Sequence, residues 1–244
     1  MTMRLGAAKL VLVLPVAAVI LSLPLQASGG VVSLLNNGGF EANFTYGQTI
    51  ANAVGKWATG DPAAQVGAEN GVTPFDSYML KFTMVGDQNN FSDDVYQVID
   101  LNAYASQIDT GLATIHATAY FASVSASSGF ITLFAAKTLP TTFADPAFNT
   151  HLAQQSVATP ANKTWKLDEI DDVKVPVDTR YLFFGVNHTA ADPNTGVHFP
   201  TTYADNAGLL LTIPDVGTVP EPGVLPLAGL ALGALAISRR RKVS

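Results

Sequence analysis

The sequence predicts an all-β fold, a β-sandwich, for the stretch between two apolar ends. Short β-prone runs of five to eight residues recur along it, turn-forming clusters separate them, and no sustained apolar repeat of helical period intervenes. The first run, Tyr78 to Met84, is aromatic and apolar around one lysine; Val95 to Leu101 follows, then Thr114 to Phe121. Gly129 to Ala135, Thr164 to Glu169, Tyr181 to Val186 and Leu209 to Ile213 complete the set. Gly86 to Asn90, Ser125 to Gly129 and Ala191 to Gly196 are rich in Gly, Asn, Asp, Ser and Pro, the residues that supply turn conformations. The connection from Thr138 to Ala161 is long, and the strand register across it is open. No internal repeat or heptad is present, which argues against a solenoid or propeller.

The two ends read as addresses. Residues 1–27 place Arg4 and Lys9 before an apolar run from Leu10 to Leu25 and end at Leu25-Gln26-Ala27, the plan of a secretory signal peptide cleaved after Ala27. An uncleaved N-terminal membrane anchor is the other reading of the same run. Residues 217–244 hold Val219-Pro220-Glu221-Pro222-Gly223, an apolar run from Val224 to Ile237, and the cluster Arg239-Arg240-Arg241-Lys242. The cations stay cytoplasmic by the positive-inside rule, which leaves the body outside. The run is short for a bilayer, where about 20 residues are needed, so it suits temporary retention.

Those three tail elements, Pro220, Glu221 and Pro222, the short hydrophobic helix, and Arg239, Arg240 and Arg241, resemble the PEP-CTERM sorting signal of Gram-negative bacteria. The resemblance implies an exosortase as processing partner, transient residence in the inner membrane, and delivery to the cell surface or extracellular matrix. It also implies association with exopolysaccharide and biofilm. A plain tail anchor is the blander alternative.

Composition bounds the partners. Only 13% of the 244 residues are charged and 48% are hydrophobic, with a formal charge of -6 and no cysteine. By position the picture changes: residues 28–218 hold seven cations against 18 acids, a formal charge of -11. Nucleic acid is disfavoured, and neutral glycans or divalent cations are favoured. Disulfides and cysteine-ligated zinc are excluded, so an exported body must hold by packing or a bound ion.

The body, read from 28 to 216, resembles the CenC-type carbohydrate-binding modules, jelly rolls of the galactose-binding-like superfamily. The likeness rests on Leu34-Leu35-Asn36-Asn37-Gly38-Gly39-Phe40-Glu41, on Trp57, on Val95 to Leu101, and on Tyr203-Ala204-Asp205-Asn206-Ala207-Gly208-Leu209. It implies a structural calcium tying the first strand to the last through Glu41 and Asp205, with backbone oxygens of Gly39 or Lys81 as further ligands. Without an ion, Glu41 is a hydrogen-bonded strand-end carboxylate and Asp205 an Asx-turn residue.

Aromatic rings that cover the apolar face of a sugar, beside side chains that read hydroxyls, are the natural glycan contacts. The candidates are Tyr46, Trp57, Tyr96, Gln97, Tyr120, Trp165, Arg180 and Tyr181. Each tryptophan has a competing role as core. Alternation puts Tyr96 and Val98 on one face and Val95, Gln97 and Ile99 on the other. The run Asp87 to Asp94 is a solvated hairpin loop or an ion site, and it lacks the central Gly and closing Glu of an EF-hand. His116, His151, His188 and His198 lack zinc-site spacing. No nucleophile elbow, H-E-x-x-H or phosphate loop is present, so the expectation is a non-catalytic protein. The leading expectation is a carbohydrate-binding module. A structural matrix or adhesion protein without sugar binding, and a glycan hydrolase using an acid pair, are the other two classes.

Overall fold

The computed structural model describes residues 29–42, 45–46, 50–59, 63–82, 92–142, 150–190 and 201–215. The expected signal helix, the sorting tail, the loop Gly86 to Asn90, the turn Ala191 to Gly196 and His198 lie outside these residues. In chain order the strands are β1 (Gly30–Ser33), β2 (Thr45–Tyr46), β3 (Trp57–Thr59), β4 (Ala63–Val66), β5 (Met79–Phe82) and β6 (Ser92–Asp100). They continue with β7 (Thr114–Ser123), β8 (Ser127–Ala136), β9 (Thr150–Thr159), β10 (Lys166–Lys174), β11 (Tyr181–Ala190) and β12 (Thr202–Ile213). One short helix, α1 (Ala105–Ile108), lies between β6 and β7.

Two six-stranded sheets face each other, as the all-β prediction requires. The first runs β10-β7-β12-β5-β4, with β1 also on β12; the second runs β2-β3-β6-β11-β8-β9. Strand β12 is long enough that β5 pairs with its first residues, Thr202 to Ala204, and β1 with its last, Leu210 to Ile213. The core between the sheets takes the alternate positions of each strand. Ile115, Ala117, Ala119 and Phe121 come from β7, Leu182, Phe184 and Val186 from β11, and Ile131 and Leu133 from β8.

All seven expected strands are present, and four more of three or more residues join them. β9 occupies the connection from Thr138 to Ala161 that had no assigned register. It pairs with β8 as the edge of its sheet, and its many exposed polar residues hide the apolar alternation by which strands are read.

The two faces of β6 follow the expected alternation. Val95 and Ile99 enter the main core, while Tyr96 and Val98 join a second cluster with Ile50, Ala53, Ala58 and Phe183. Both faces are therefore covered, because the 3-10 turn Ile50–Ala53 packs over the outside of the second sheet.

Candidate functional site

The segment 36–41 is the junction on which the candidate residues converge. Gln97 reads Asn36 as a neighbouring strand would: its Oε1 accepts from the Asn36 N–H at 3.0 Å and its Nε2 donates to the Asn36 carbonyl at 2.9 Å. The Trp57 indole N–H donates to the Asn37 carbonyl at 2.8 Å, and the Trp57 ring lies 4.8 Å from that of Phe40. The Gly38 carbonyl accepts from the Ala207 N–H at 2.8 Å, and a Cβ on Gly38 would collide with the Ala207 carbonyl. Glycine is required there by close approach of two backbones. Gln97 and Trp57 are thus brought together on this segment as a structural joint between the two sheets.

This placement corrects several expected glycan contacts. Trp57 is 3% exposed, Tyr96 1% and Gln97 0%, so none can stack on or bond a sugar. The Tyr96 ring stacks on Phe183 at 4.9 Å, and its burial raises the phenol's pKa. Arg180 is engaged by Asp109 through two bonds, Nη1 to Oδ1 at 3.0 Å and Nη2 to Oδ2 at 2.7 Å. Tyr181 is half-buried beside Asn102 at the start of β11. Nothing is described for the Tyr46 side chain.

Trp165 and Tyr120 behave differently. Leu167 on β10 pairs with Tyr120 on β7, which in turn pairs with Asp205 on β12, so these side chains share the outer face of the first sheet. Trp165, two residues before Leu167, shares that face, and its indole N–H donates to the Thr73 carbonyl at 2.8 Å. Between the two rings stands Phe75, 4.8 Å from Tyr120 and 5.4 Å from Trp165, and 48% exposed. Leu167 at 41% and Tyr78 at 44% exposure extend the surface. The rings are tilted by 57° and 37°, so they form a ridge with Phe75 at its crest.

Two carboxylates hold that crest. Asp205 Oδ2 accepts from the Phe75 N–H at 2.8 Å, and Glu41 Oε1 accepts from the N–H groups of Ser77 and Tyr78 at 3.1 and 2.9 Å. The loop is clamped from the first and last segments of the sandwich, and Asp205 Oδ1 also accepts from its neighbour Asn206. Asp205 is 1% exposed. Burial, with repulsion from Glu41 and Asp76, raises its pKa to about 6 despite the two backbone donors.

Two carboxylates therefore act on a loop that itself carries Asp76, and oxygen donors of this kind suit calcium in type. No group of three or more His, Asp or Glu side chains stands at metal-binding spacing among the described residues. Sequence reasoning named Glu41 and Asp205 but missed Asp76 and Phe75. The run Thr73-Pro74-Phe75-Asp76-Ser77, an aromatic in a turn-rich stretch beside an acid, was the available signal.

The carboxyls with raised pKa do not form a hydrolytic pair. Asp168 is also raised to about 6, by burial, while its Oδ2 accepts from the Ile131 N–H at 3.1 Å. It pairs with Ala119 and Asp205 with the next residue, Tyr120, so the two acids sit on opposite faces of one sheet.

The histidines divide in the same residue-by-residue way. His116 lies between Asp171 and Glu169, at 3.1 and 3.4 Å, on the outer face of the first sheet. His151 packs on Phe134 at 5.0 Å. His188 is 1% exposed, stacks on Phe82 at 5.6 Å, and has no hydrogen-bond partner for either ring nitrogen among the described residues. Burial lowers its pKa to about 4 from 6.5, so it is neutral in the fold.

In the unfolded chain His188 takes up a proton near pH 6.5, so its neutral burial stabilises fully above that pH and is lost as pH falls to about 4. Asp168 and Asp205, raised, act with the opposite sign between about 6 and 3.8. A His188→Leu variant separates them. The stability difference between wild type and variant is expected to change by about 3 kcal/mol between pH 7 and pH 4, in the variant's favour. A flat difference in denaturant titrations at the two pH values would contradict this.

Residues 218–242 match the PEP-CTERM protein-sorting motif family. The chain thus carries a signal for export and surface sorting. No curated protein matches the chain. Among solved structures, TmCBM61 in complex with β-1,4-galactotriose is 14% identical, covering 73% of this chain and 97% of that one, with a TM-score of 0.46. A putative sugar-binding protein from Bacteroides thetaiotaomicron VPI-5482 is 10% identical over 73% of this chain and 99% of that one, with a TM-score of 0.46. The Stig cyclase Fisc from Fischerella sp. TAU is 12% identical over 76% and 100%, with a TM-score of 0.47. Binding proteins and an enzyme alike stand among these neighbours.

Proposed function

We propose that this exported β-sandwich is a non-catalytic glycan-binding protein of the cell surface or extracellular matrix, and that it engages exopolysaccharide through the outer face of its first sheet. The observation that carries the reading is the ridge of Phe75, Trp165 and Tyr120, partly open to solvent and held by backbone bonds to Glu41 and Asp205. Solvent-facing rings on a rigid scaffold lose little freedom on binding and cover the apolar face of a pyranose. Asp76 stands next to Phe75 in the chain and supplies acceptors for sugar hydroxyls. The acidity of the body favours a neutral polysaccharide over a polyanion.

The sorting motif supports delivery by an exosortase near Pro220, Glu221 and Pro222, with the apolar run Val224 to Ile237 as the temporary inner-membrane anchor of a Gram-negative cell. No helix among the described residues is long and apolar enough to cross a membrane. A glycan array with the 28–218 body is the test, and failure to bind any polysaccharide, with and without calcium, sinks the reading in favour of a purely structural matrix protein.

Calcium belongs to the same proposal. Glu41 and Asp205, with backbone oxygens of Gly39 or Lys81, would hold it, and it would offset the burial and the carboxylate repulsion that raise the Asp205 pKa. A ligand bound only to the native state raises apparent stability. The melting temperature in millimolar calcium is therefore expected to exceed that in EDTA by several degrees, and identical midpoints would exclude a structural calcium.

A further inference from the structure

Both ends of the described body leave from one pole. Gly30 opens β1 opposite Ile213, which closes β12, and Thr212 pairs with Thr114 at the start of β7. The loops 101–113 and 175–180 close the same pole. They are joined by the Val175 N–H to the Ala113 carbonyl at 2.9 Å, the Leu101 N–H to the Arg180 carbonyl at 2.8 Å, and the Asp178 N–H to Asp109 at 2.9 Å. Helix α1 plugs it from inside with Ile108.

The exposed large apolar side chains among the described residues fall into two groups. Phe75, Tyr78 and Leu167 surround the aromatic ridge; the others, Val31 at 63%, Leu112 at 63% and Val177 at 49%, are at this pole. Val177 reaches toward the turn at Gly111, so it is next to Leu112. Two ion pairs stand at the pole, Arg180 with Asp109 at 2.7 Å and Lys137 with Asp178 at 2.9 Å, and Asp100, Lys174 and Asp215 are exposed beside them. In a body of formal charge -11 this end combines exposed aliphatic side chains with three of the seven cations, Lys137, Lys174 and Arg180.

The chain beyond the pole says what can cover it. From Asp215 to Val224, the first residue of the apolar run, there are nine residue steps, which span at most about 32 Å fully extended. The opposite end of β12 lies a further strand of 12 residues away, about 40 Å along its axis. With the apolar run in a bilayer, this pole stays within about 32 Å of the lipid surface, while the far end of the strand has the longer reach.

We propose that, before the tail is processed, the body docks on the lipid surface through this pole, with Leu112, Val177 and Val31 entering the headgroup boundary. The proposal rests on the reading of the tail as a membrane anchor. Docking would leave the ridge facing the medium, since Tyr120 pairs with Asp205, eight residues up β12 from Ile213.

The chain has no cysteine, so single labels are clean. The chain from residue 28 to 244 carrying Leu112→Cys, Val177→Cys or, as a distal control, Ser125→Cys, each labelled with an environment-sensitive fluorophore, is reconstituted into vesicles of phosphatidylcholine and phosphatidylglycerol at a ratio of about 3 to 1. Flotation reads the anchor, and quenching by headgroup-labelled lipid reads the docking. The proposal expects the protein to float, with labels at 112 and 177 quenched at least ~3-fold more than at 125. Flotation with equal quenching at all three positions overturns the docking and leaves the anchor standing. Failure to float overturns the anchor and the docking together. Enhanced quenching at 112 and 177 that appears only when a membrane protein is added overturns lipid as the occupant.

Discussion

Phe75→Ala is expected to weaken polysaccharide binding about 30-fold, a loss of about 2 kcal/mol, the size typical of an aromatic hot spot. The ring is 48% exposed, so its removal takes little from the core and is expected to cost only about 1 kcal/mol of stability. Affinity and stability therefore separate at this residue. Isothermal titration against the bound polysaccharide, beside a thermal melt of the same variant, checks both numbers. An affinity within twofold of wild type would remove Phe75 from the site.

Trp57→Ala is expected to do the reverse, destabilising the sandwich by about 4 kcal/mol. Trp57 is 3% exposed, packs on Phe40 at 4.8 Å and Phe184 at 6.0 Å, and donates its indole N–H to the Asn37 carbonyl. Its loss opens a cavity and removes one of two donors to that carbonyl, which keeps the Phe40 N–H at 3.0 Å. For a body of this size the melting temperature should fall by roughly 8 to 16 °C. Trp57→Phe keeps most of the apolar area and loses the hydrogen bond, so a cost of about 1 to 2 kcal/mol is expected. Equal losses for the two variants in chemical denaturation would show that the bond, and not the packing, dominates.

The contrast between Phe75 and Trp57 shows where sequence reading reached and where it stopped. Strand alternation was legible in β6, and Val95 and Ile99 do face the main core. What alternation cannot report is a cover supplied from elsewhere. Ile50 and Ala53, in a short 3-10 turn without strand pattern, close the face on which Tyr96 had been expected to meet ligand. Glu41 and Asp205 were legible only through the resemblance of their flanking motifs. Their observed work, holding the backbone of Phe75, Ser77 and Tyr78, depends on a loop whose position no local propensity sets.

Phe75 itself escaped notice because a lone aromatic in a Pro-containing turn carries no period. β9 escaped because an exposed edge strand selects polar residues such as Gln154, Gln155 and Ser156. The two address segments were read from composition and order of elements, and the sorting motif at 218–242 agrees with that reading of the tail.

The most direct measurement of the central claim is chemical-shift mapping of the isotopically labelled body during titration with a polysaccharide recovered from the glycan array. The account predicts progressive shifts at Phe75, Tyr120, Trp165 and Leu167, with the buried Tyr96, Gln97 and Trp57 unchanged. Shifts confined to the second sheet, or none at saturating polysaccharide, would contradict it.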